Sequence, residues 1–382
     1  MLFRNLLLPS VCIFLTAVGV ATAFACQSTH TLCNHDVVHR SSSALRASRQ
    51  SGEDGREDPS ELLRQSIKDL ATLLDSTDGN LASYKSRPGC SSVVHIIGTG
   101  LTPSLTSLPL STLHVLSQAD VVLYDSLGLS FRDICHIVPR HCKVMCVGKR
   151  GDDAKSWKQT DIDQMLLEMA LQQQTEDNQD HQTSRIIVRL KGGDPFLFGR
   201  TRSEIETLRA NNITYTYSPA ISSCIAGPHL GGIPLTDAEL NCQSFGVWSG
   251  TDAFGRSYGL NDQGNEADFA SGVDVLVFLM IGRLDKLEAL CDLLAGKRGK
   301  NSVVGNDRKW HVDTPCAVIQ NAGGVSSDVS LGSQTPVQKV WRSTLGNIVP
   351  MIRSEDEARV SVSPAVFVVG RVCELDLTCT TR

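Results

Sequence analysis

The feature that most constrains this 382-residue chain is an apolar strand that runs into a glycine-rich turn. Residues 186–188, Ile-Ile-Val, form a β-branched run that is typical of a buried strand. The run leads into residues 192–195, Gly-Gly-Asp-Pro, where the glycines let another group approach the backbone and the Asp-Pro pair favours a turn. Such a turn leaves backbone polar groups and a carboxylate at the carboxyl edge of a sheet, where open α/β folds bind ligands. Because tight strand-to-helix turns also occur without a ligand, the glycines alone leave both interpretations open.

Similar strand patterns alternate with helical patterns through the first half of the segment from 91 to 377. The sequence predicts four strands and two helices there, with Thr160 as a helix cap: strands 93–97, 121–124, 144–147 and 186–189, and helices 110–118 and 160–172. This alternation indicates parallel strands joined by crossover helices.

The second half of the segment has fewer helical patterns and longer polar stretches. Its predicted elements are strands 245–248, 275–280, 317–319 and 365–369, a helix at 284–294, and loops at 251–272, 296–312 and 333–343. The total length suits an α/β protein of two domains, which we place at 91–218 and 219–382.

The first 90 residues differ in composition from the rest. Residues 1–23 resemble a secretory signal, with Arg4, an apolar stretch and a small-x-small site at 21–23. The alternative is a membrane anchor, for which the apolar stretch is short. Residues 24–52 are rich in Ser, Arg and His, as transit peptides are, and the junction near residue 23 resembles that of bipartite plastid presequences.

We therefore expect residues 1–52 to direct the chain to a plastid, with a secreted protein as the competing interpretation. The mature form is then expected to have no contact with a membrane. Residues 53–90 are polar and acidic, and we expect a linker or an appended helix between 60 and 74.

Composition narrows the classes of protein further. The formal net charge is −5, so a nucleic-acid partner is not indicated. The 13 cysteines are odd in number and no CxxC pair occurs, so we expect neither a zinc site nor an iron–sulfur cluster, and no metal. Buried free thiols in a reducing compartment are the favoured interpretation, which agrees with a plastid stroma.

Residues 189–200, with the sequence RLKGGDPFLFGR, resemble the RLKGGDPFxFGR signature of the tetrapyrrole methyltransferases. Further segments resemble motifs of the same family in the same order: ADVVLYD at 119–125, VGKR at 147–150, PAISS at 219–223, GGIPLT at 231–236, FLM at 278–280, DTPCA at 313–317 and PAVFVVG at 364–370. The resemblance implies two α/β domains of the tetrapyrrole methylase type with the active site in the cleft between them.

What the resemblance implies about function is equally specific. The expected cofactor is S-adenosylmethionine and the expected substrate is uroporphyrinogen III. Two methyl transfers to ring carbons would give precorrin-2 for sirohaem biosynthesis. The family also implies a homodimer.

The resemblance further implies roles for individual residues. Asp125 falls on the proton acceptor and Lys149 on the proton donor. The residues that match the cofactor site are Gly98, Gly100, Leu101, Gly192, Gly193, Asp194, Leu197, Ser222, Ser223, Met280, Ala317 and Ala322. Basic residues expected to meet the carboxylates of the substrate are Arg150, Lys191 and Arg200.

Considered without the family, several of these residues have simpler interpretations. Asp125 ends a predicted strand, beside the turn at 98–100 in a parallel sheet, and a carboxylate there could instead cap the next helix. Lys149 could be a solvated lysine on a turn, and Met280 could fill the core.

The chain departs from the family pattern at two turns. Leu101 and Thr102 stand where the family has Pro-Gly-Asp, which makes the first turn one residue shorter, and Ala220 replaces a glycine. Residues 98–100, Gly-Thr-Gly, also fit the start of a dinucleotide fingerprint, but Pro103 takes the position of the third glycine, where close helix–strand packing is needed. The alternatives are a nicotinamide-dependent oxidoreductase, a methyltransferase of the same fold acting on a later precorrin, a protein or RNA, and a non-catalytic tetrapyrrole carrier.

Overall fold

The computed structural model of the chain describes most of the segment after residue 58. The described residues are 59–78, 92–101, 105–125, 127–148, 157–172, 185–250, 272–296, 310–324 and 337–378. The chain divides into two compact units, of which the first comprises Met1–Ser66 and Ser327–Gln334 and the second Ile67–Ser326 and Thr335–Arg382. In the first unit the described part is the beginning of helix α1 (Pro59–Asp78), where Glu61 and Arg64 form an ion pair of 2.7 Å. All the described strands lie in the second unit.

The first sheet of the second unit is wholly parallel. Its strands are β1 (Ser92–Gly98), β2 (Val121–Tyr124), β3 (Lys143–Cys146), β4 (Arg185–Lys191) and β5 (Thr214–Ser218). Their order across the sheet is β3-β2-β4-β1-β5, so β4 and β1 are central and pair along their whole lengths. The carboxyl ends of all five strands therefore lie at the same edge of the sheet. The glycine-rich turn at 192–195 lies at this edge.

Alternate residues of β4 face two different helical layers. Val188 and Leu190 join an apolar cluster with residues of helices α2 (Leu110–Leu116) and α3 (Phe131–Ile137). Ile187 faces the other side, where helices α4 (Gln159–Leu171) and α5 (Thr201–Ala210) pack. The period of two in a strand therefore also directs residues 189 and 191 towards α4 and α5.

The second sheet is mixed. Its strands are β6 (Phe245–Ser249), β7 (Val275–Leu279), β8 (Pro315–Gln320), β9 (Lys339–Thr344) and β10 (Ala365–Val369), in the order β6-β7-β10-β8-β9. Only β6 and β7 pair in parallel, and the other three pairs are antiparallel. Helices α7 (Leu284–Leu294) and α8 (Ile348–Glu355) cover one face, and α6 (Ser223–Leu230) packs on the other.

Several sequence-based expectations need correction here. Thr160 does not cap α4, because the helix begins at Gln159 and Lys158 is its first flanking residue. The loop expected at 333–343 contains the beginning of β9, in which Trp341 is buried. The expected loop at 251–272 lies outside the described residues except for Gly272, and of the loop at 296–312 residues 296 and 310–312 are described.

The fold class is confirmed as α/β with two sheets. The strands of the two sheets fall on either side of residue 219, and the domain bounds themselves stay a prediction. The cysteines of the described residues are free, and five of the eight are buried: Cys224, Cys242, Cys291, Cys316 and Cys373. In the part of the chain that the structure describes, no helix combines the length and the apolar composition needed to span a membrane.

Candidate active site

Two turns at the carboxyl edge of the first sheet are joined by their backbones. Gly100 follows β1 and Gly193 follows β4, and the two form an isolated antiparallel bridge. The Gly193 N–H donates to the Gly100 carbonyl at 2.8 Å, and the Gly100 N–H donates back at 3.3 Å. Both glycines have a positive φ, 69° and 67°, which side chains rarely tolerate. We call this pair the glycine bridge.

Gly98 is required by packing rather than by the backbone conformation. A Cβ atom there would lie 2.7 Å from the Ala220 Cβ, 2.7 Å from the Gly193 carbonyl oxygen and 2.8 Å from the Pro195 Cδ. The alanine that replaces a family glycine at position 220 therefore fills the space beside Gly98. The turn after β1, the turn after β4 and residue 220 therefore approach one another closely at Gly98.

The Asp194 carboxylate is occupied by the turns themselves. Its Oδ1 accepts a hydrogen bond of 2.8 Å from the Phe196 N–H, and its Oδ2 accepts one of 3.1 Å from the Ala220 N–H. An aspartate that caps its own turn in this way is a common turn device. Any contact of Asp194 with a cofactor is therefore additional to this structural role.

Asp125 stands at the end of β2, two strands away from the turn at 98–100. Because β4 lies between β2 and β1, the expectation that Asp125 lies directly beside that turn was wrong. It adjoins the turn after β4, where the Gly192 N–H donates to Oδ1 at 3.1 Å. It does not cap α3 either, since Ser130 does so by accepting from the Asp133 N–H.

The environment of Asp125 disfavours its charged form. The side chain keeps 17% of its exposure, and burial raises the pKa of the carboxyl above its ordinary value, although the neighbouring Arg189 opposes this change. A carboxyl with a raised pKa at the ligand edge of a sheet is a candidate proton acceptor.

Lys191 is placed differently from its predicted role. Its ammonium is buried and lies 2.7 Å from Glu204 Oε1, so it is not presented to a substrate carboxylate. The sequence could not show this because Glu204 lies on α5, and no spacing rule joins it to β4. Burial lowers the pKa of the Lys191 ammonium, and Glu204 opposes this change.

The sequence analysis did not identify the ion pair between Arg189 and Glu204, which lies near the site. Arg189 is 3% exposed and Glu204 is fully buried, and the Arg189 Nε lies 3.2 Å from Glu204 Oε1. The signal was present, since two basic residues flank Leu190 in a strand that is buried on both faces. Buried charges of this kind need a partner of opposite sign.

Of the other predicted cofactor residues, two pairs lie near these turns. Ser222 and Ser223 lie at the start of α6, where the Ser222 Cα and the Ser223 N would lie 3.9 and 4.0 Å from a Cβ on Gly193. Leu101 and Leu197 pack against the apolar cluster on the α6 face of the second sheet, which contains Leu279.

The positions that belong to the second sheet differ in accessibility. Met280 directly follows β7, is 48% exposed and has a φ of 60°, a strained conformation that is enriched at functional sites. Ala317 is fully buried within β8, and Ala322 is 8% exposed in the turn after it. Ala317 therefore offers no side-chain surface to a ligand, because its methyl group belongs to the core.

Of the predicted basic residues, Arg200 is described and exposed. It precedes α5 and has a φ of 54°. Lys149 and Arg150 lie outside the described residues, as does Pro103. Their roles stay predictions.

The fold and this edge of the first sheet correspond to one class of methyl-transferring enzyme. Residues 93–348 match the family of Tetrapyrrole (Corrin/Porphyrin) Methylases, and the chain belongs to that family. This confirms the family resemblance, and it replaces the interpretation of the first turn as a dinucleotide fingerprint.

Individual relatives narrow the comparison. The chain is 33% identical over 263 residues to the uroporphyrinogen-III C-methyltransferase of Methanocaldococcus jannaschii, which covers 68% of this chain and 88% of that protein. It is 30% identical over 285 residues to the siroheme synthase of Pseudoalteromonas translucida, covering 74% of this chain and 49% of the relative. The chain thus spans about half the length of that siroheme synthase.

A solved structure shares the fold. The uroporphyrin-III C-methyltransferase of Thermus thermophilus, complexed with S-adenosylhomocysteine, aligns with a TM-score of 0.50 at 23% identity, over 74% of this chain and 99% of the other. The similarity establishes a common architecture.

Proposed function

We propose that the chain is an S-adenosylmethionine-dependent C-methyltransferase that converts uroporphyrinogen III to precorrin-2 by two methyl transfers. The observation that carries the proposal is the glycine bridge with Asp125 at the same sheet edge, in a chain of the tetrapyrrole methylase family. The names of the relatives support the substrate. The product would feed sirohaem biosynthesis, in agreement with the similarity to siroheme synthases.

The turns at this edge fit a bound S-adenosylmethionine. A Cβ on Gly100 would meet no heavy atom closer than 3.8 Å, and one on Gly193 none closer than 3.9 Å, so both backbones are open to a ligand on that side. Ser222 and Ser223 adjoin Gly193, and we assign these four residues together with Leu101 to the cofactor site. When bound, the cofactor supplies an activated methyl group on a sulfonium.

The task of the protein is then to position the substrate and to manage a proton. The pyrrole carbon must be held about 3–3.5 Å from the methyl group and in line with it. After methylation the ring system carries an extra proton, which we assign to Asp125 as acceptor, and we assign Lys149 to return a proton elsewhere. The substrate carboxylates require local positive charge, for which Arg150 and Arg200 are the candidates.

The test is a labelled methyl-transfer assay with the chain, uroporphyrinogen III and methyl-labelled S-adenosylmethionine. Two equivalents of label per substrate, with the absorbance change of the oxidisable product, are expected. Transfer to a later precorrin but not to uroporphyrinogen III would favour the other methylase interpretation. Cofactor binding without any transfer would favour a non-catalytic carrier.

A homodimer is also part of the proposal. Large apolar side chains are exposed near the same edge, among them Phe196 and Tyr217, whose ring centres are 5.0 Å apart, and Ile221 and Ile225. A second copy of the chain would remove this surface from water. Light scattering during size-exclusion chromatography is expected to give twice the mass of the monomer, and a monomer at all concentrations would contradict it.

Plastid localisation rests on residues 1–52 alone. A fluorescent protein fused behind residues 1–52 is expected to enter the plastid of an alga with a secondary plastid, whereas a fusion of residues 1–23 is expected to stop in the secretory pathway. Secretion of both fusions would support the competing interpretation.

A further inference from the structure

Glu204 lies close to the residues assigned to the proposed reaction, but it has no role in that reaction as described above. It is fully buried on α5, beneath the ligand edge of the first sheet. Its Oε1 accepts from Lys191 Nζ at 2.7 Å and from Arg189 Nε at 3.2 Å. Its Oε2 is buried and has no hydrogen-bond partner among the described residues. One carboxylate oxygen thus accepts hydrogen bonds from two cations. Burying three charged groups costs desolvation free energy, so such an arrangement is uncommon in a protein interior.

Arg189 connects Glu204 to Asp125. While its Nε faces Glu204, its second terminal nitrogen lies 3.9 Å from Asp125 Oδ2, and its first donates to the Leu190 carbonyl at 2.6 Å. The guanidinium is rigid and planar, so a hydrogen bond on one side fixes where the other side lies. Glu204 therefore controls how closely Arg189 approaches Asp125.

The charged groups around Asp125 come from few elements. Arg189 and Lys191 face it from β4, with Glu204 behind them on α5. On the β3 side Gly148 packs against the Asp125 Cβ, and Lys149 and Arg150 follow it in the sequence outside the described residues. The N–H groups of Gly192 and Leu127 complete the surroundings.

We propose that Glu204 is a positioning residue for methyl transfer, which acts through Arg189 to set the protonation of Asp125. The proposal rests on the proposed function, because it deepens the role of Asp125 in that reaction. Glu204 neutralises one of the two buried cations and draws Arg189 towards α5. Asp125 consequently meets only part of the positive charge that the strand carries, and it retains its proton to a higher pH than it would beside two free cations.

Removing the negative charge of Glu204 and removing the positive charge of Lys191 should shift the titration of Asp125 in opposite directions. Glu204→Gln keeps the shape and the accepting oxygen while it removes the negative charge, so the Asp125 carboxyl should titrate about one pH unit lower. Lys191→Met removes a positive charge, so the same carboxyl should titrate at a higher pH. The double variant Glu204→Gln/Lys191→Met restores the net charge of the cluster and should titrate close to the original protein. Damage to packing would not produce shifts of opposite sign that cancel.

The experiment measures the titration of Asp125 directly, in the full chain labelled with carboxyl-¹³C aspartate. The signal of Asp125 is the one that Asp125→Asn removes. The matched control is Glu206→Gln, two residues further along α5, where the glutamate is exposed and pairs with Arg202 at 2.7 Å. The control should leave the midpoint unchanged. Equal midpoints in Glu204→Gln and the original protein would overturn the proposal, as would shifts of the same sign in Glu204→Gln and Lys191→Met.

A second readout separates this proposal from the proposed function. The acid limb of the methyl-transfer rate against pH should move with the Asp125 midpoint in each variant. If the NMR midpoints shift as expected but no methyl is transferred by any variant, the electrostatic arrangement stands and the assigned reaction is wrong. If transfer occurs and its pH limb does not follow the midpoints, Glu204 does not act on the reaction through Asp125. Should Glu204→Gln fold poorly, the Lys191→Met and double variants carry the same test.

Discussion

At the scale of single residues, Asp125 is the group on which the assigned chemistry depends most. Replacing Asp125 by Asn keeps its size and an oxygen that can accept from the Gly192 N–H, but removes its ability to take a proton. Turnover is expected to fall on the order of 10²–10⁴-fold, the usual contribution of a positioned base. The measurement is a single-turnover rate with labelled cofactor.

The same variant should bind S-adenosylmethionine as tightly as the original protein, as measured by calorimetry. Asp161→Asn on the exposed surface of α4 is the control and should change neither quantity. A loss of cofactor binding equal to the loss of rate would place Asp125 in the cofactor site instead of the proton-transfer step.

Gly98 allows a purely steric prediction. Because an added Cβ would come within 2.8 Å of three groups, Gly98→Ala should reduce the free energy of unfolding by about 2–3 kcal/mol. Urea denaturation measures this change. Gly272→Ala is the matched control, since a Cβ there would meet nothing within 4 Å. Combining Gly98→Ala with Ala220→Gly should recover only part of the loss, because Gly193 and Pro195 still obstruct the new methyl group. Full recovery would mean that Ala220 alone makes the position intolerant.

At the scale of elements, the turn after β4 is attached to the second sheet through Leu197. The side chain packs with Leu101 against the cluster that contains Leu279. Leu197→Ala should therefore cost about 1–2 kcal/mol of unfolding free energy, and it should also weaken cofactor binding because the glycine bridge lies in the same pair of turns. Leu171→Ala, at the exposed end of α4, should change stability by less than about 0.5 kcal/mol. Unaltered stability in Leu197→Ala would show that the turn does not depend on this contact.

The elements also show what the sequence could predict. The bounds of β2, α7 and β10 follow closely from apolar runs or from a clear helical period. Strands β5 and β9 were missed because β5 has no buried residue and β9 has only Trp341 buried, so their mixture of polar and apolar residues resembles a loop. The mixed pairing of the second sheet was not evident from the sequence, since strand direction depends on connections whose lengths the apolar pattern does not determine.

For the candidate site, the turns were predictable and the charges were not. Glycines and Asp-Pro mark a turn by local chemistry, so residues 192–195 could be located at once. Lys191 was assigned to the substrate because it is a basic residue within the matched motif and the substrate carries carboxylates. Its true partner is 13 residues away and reaches it only after α5 folds onto β4. Local rules find such positions, but the pairing of buried ions is a tertiary property.

At the scale of the whole molecule, His95 makes the free energy of unfolding depend on pH. It lies in the central strand β1, is 2% exposed and has its Nδ1 2.7 Å from Thr216 Oγ1 on β5. Burial lowers its pKa to about 4 from the ordinary value of 6.5. The unfolded chain therefore binds a proton between these two values while the folded chain does not, so this contribution is complete above about pH 6.5 and is lost as the pH falls towards 4.

Between pH 7 and pH 4.5 the loss amounts to about 2.5 kcal/mol. Urea unfolding at pH 7 and at pH 4.5 measures it. His95→Gln should flatten the dependence, and His229→Gln, which alters an exposed residue of α6, should leave it unchanged. A stability that falls equally in His95→Gln and the original protein would assign the effect to other groups.

The glycine bridge limits where insertions and deletions can occur in the two turns during evolution. The backbone hydrogen bonds between Gly100 and Gly193 connect the two turns. Inserting or deleting a residue before either glycine would therefore displace the opposite turn. The shortening that distinguishes this chain begins at Leu101, the first residue past that connection. We therefore expect length changes in the first turn to be tolerated after Gly100 and not before it.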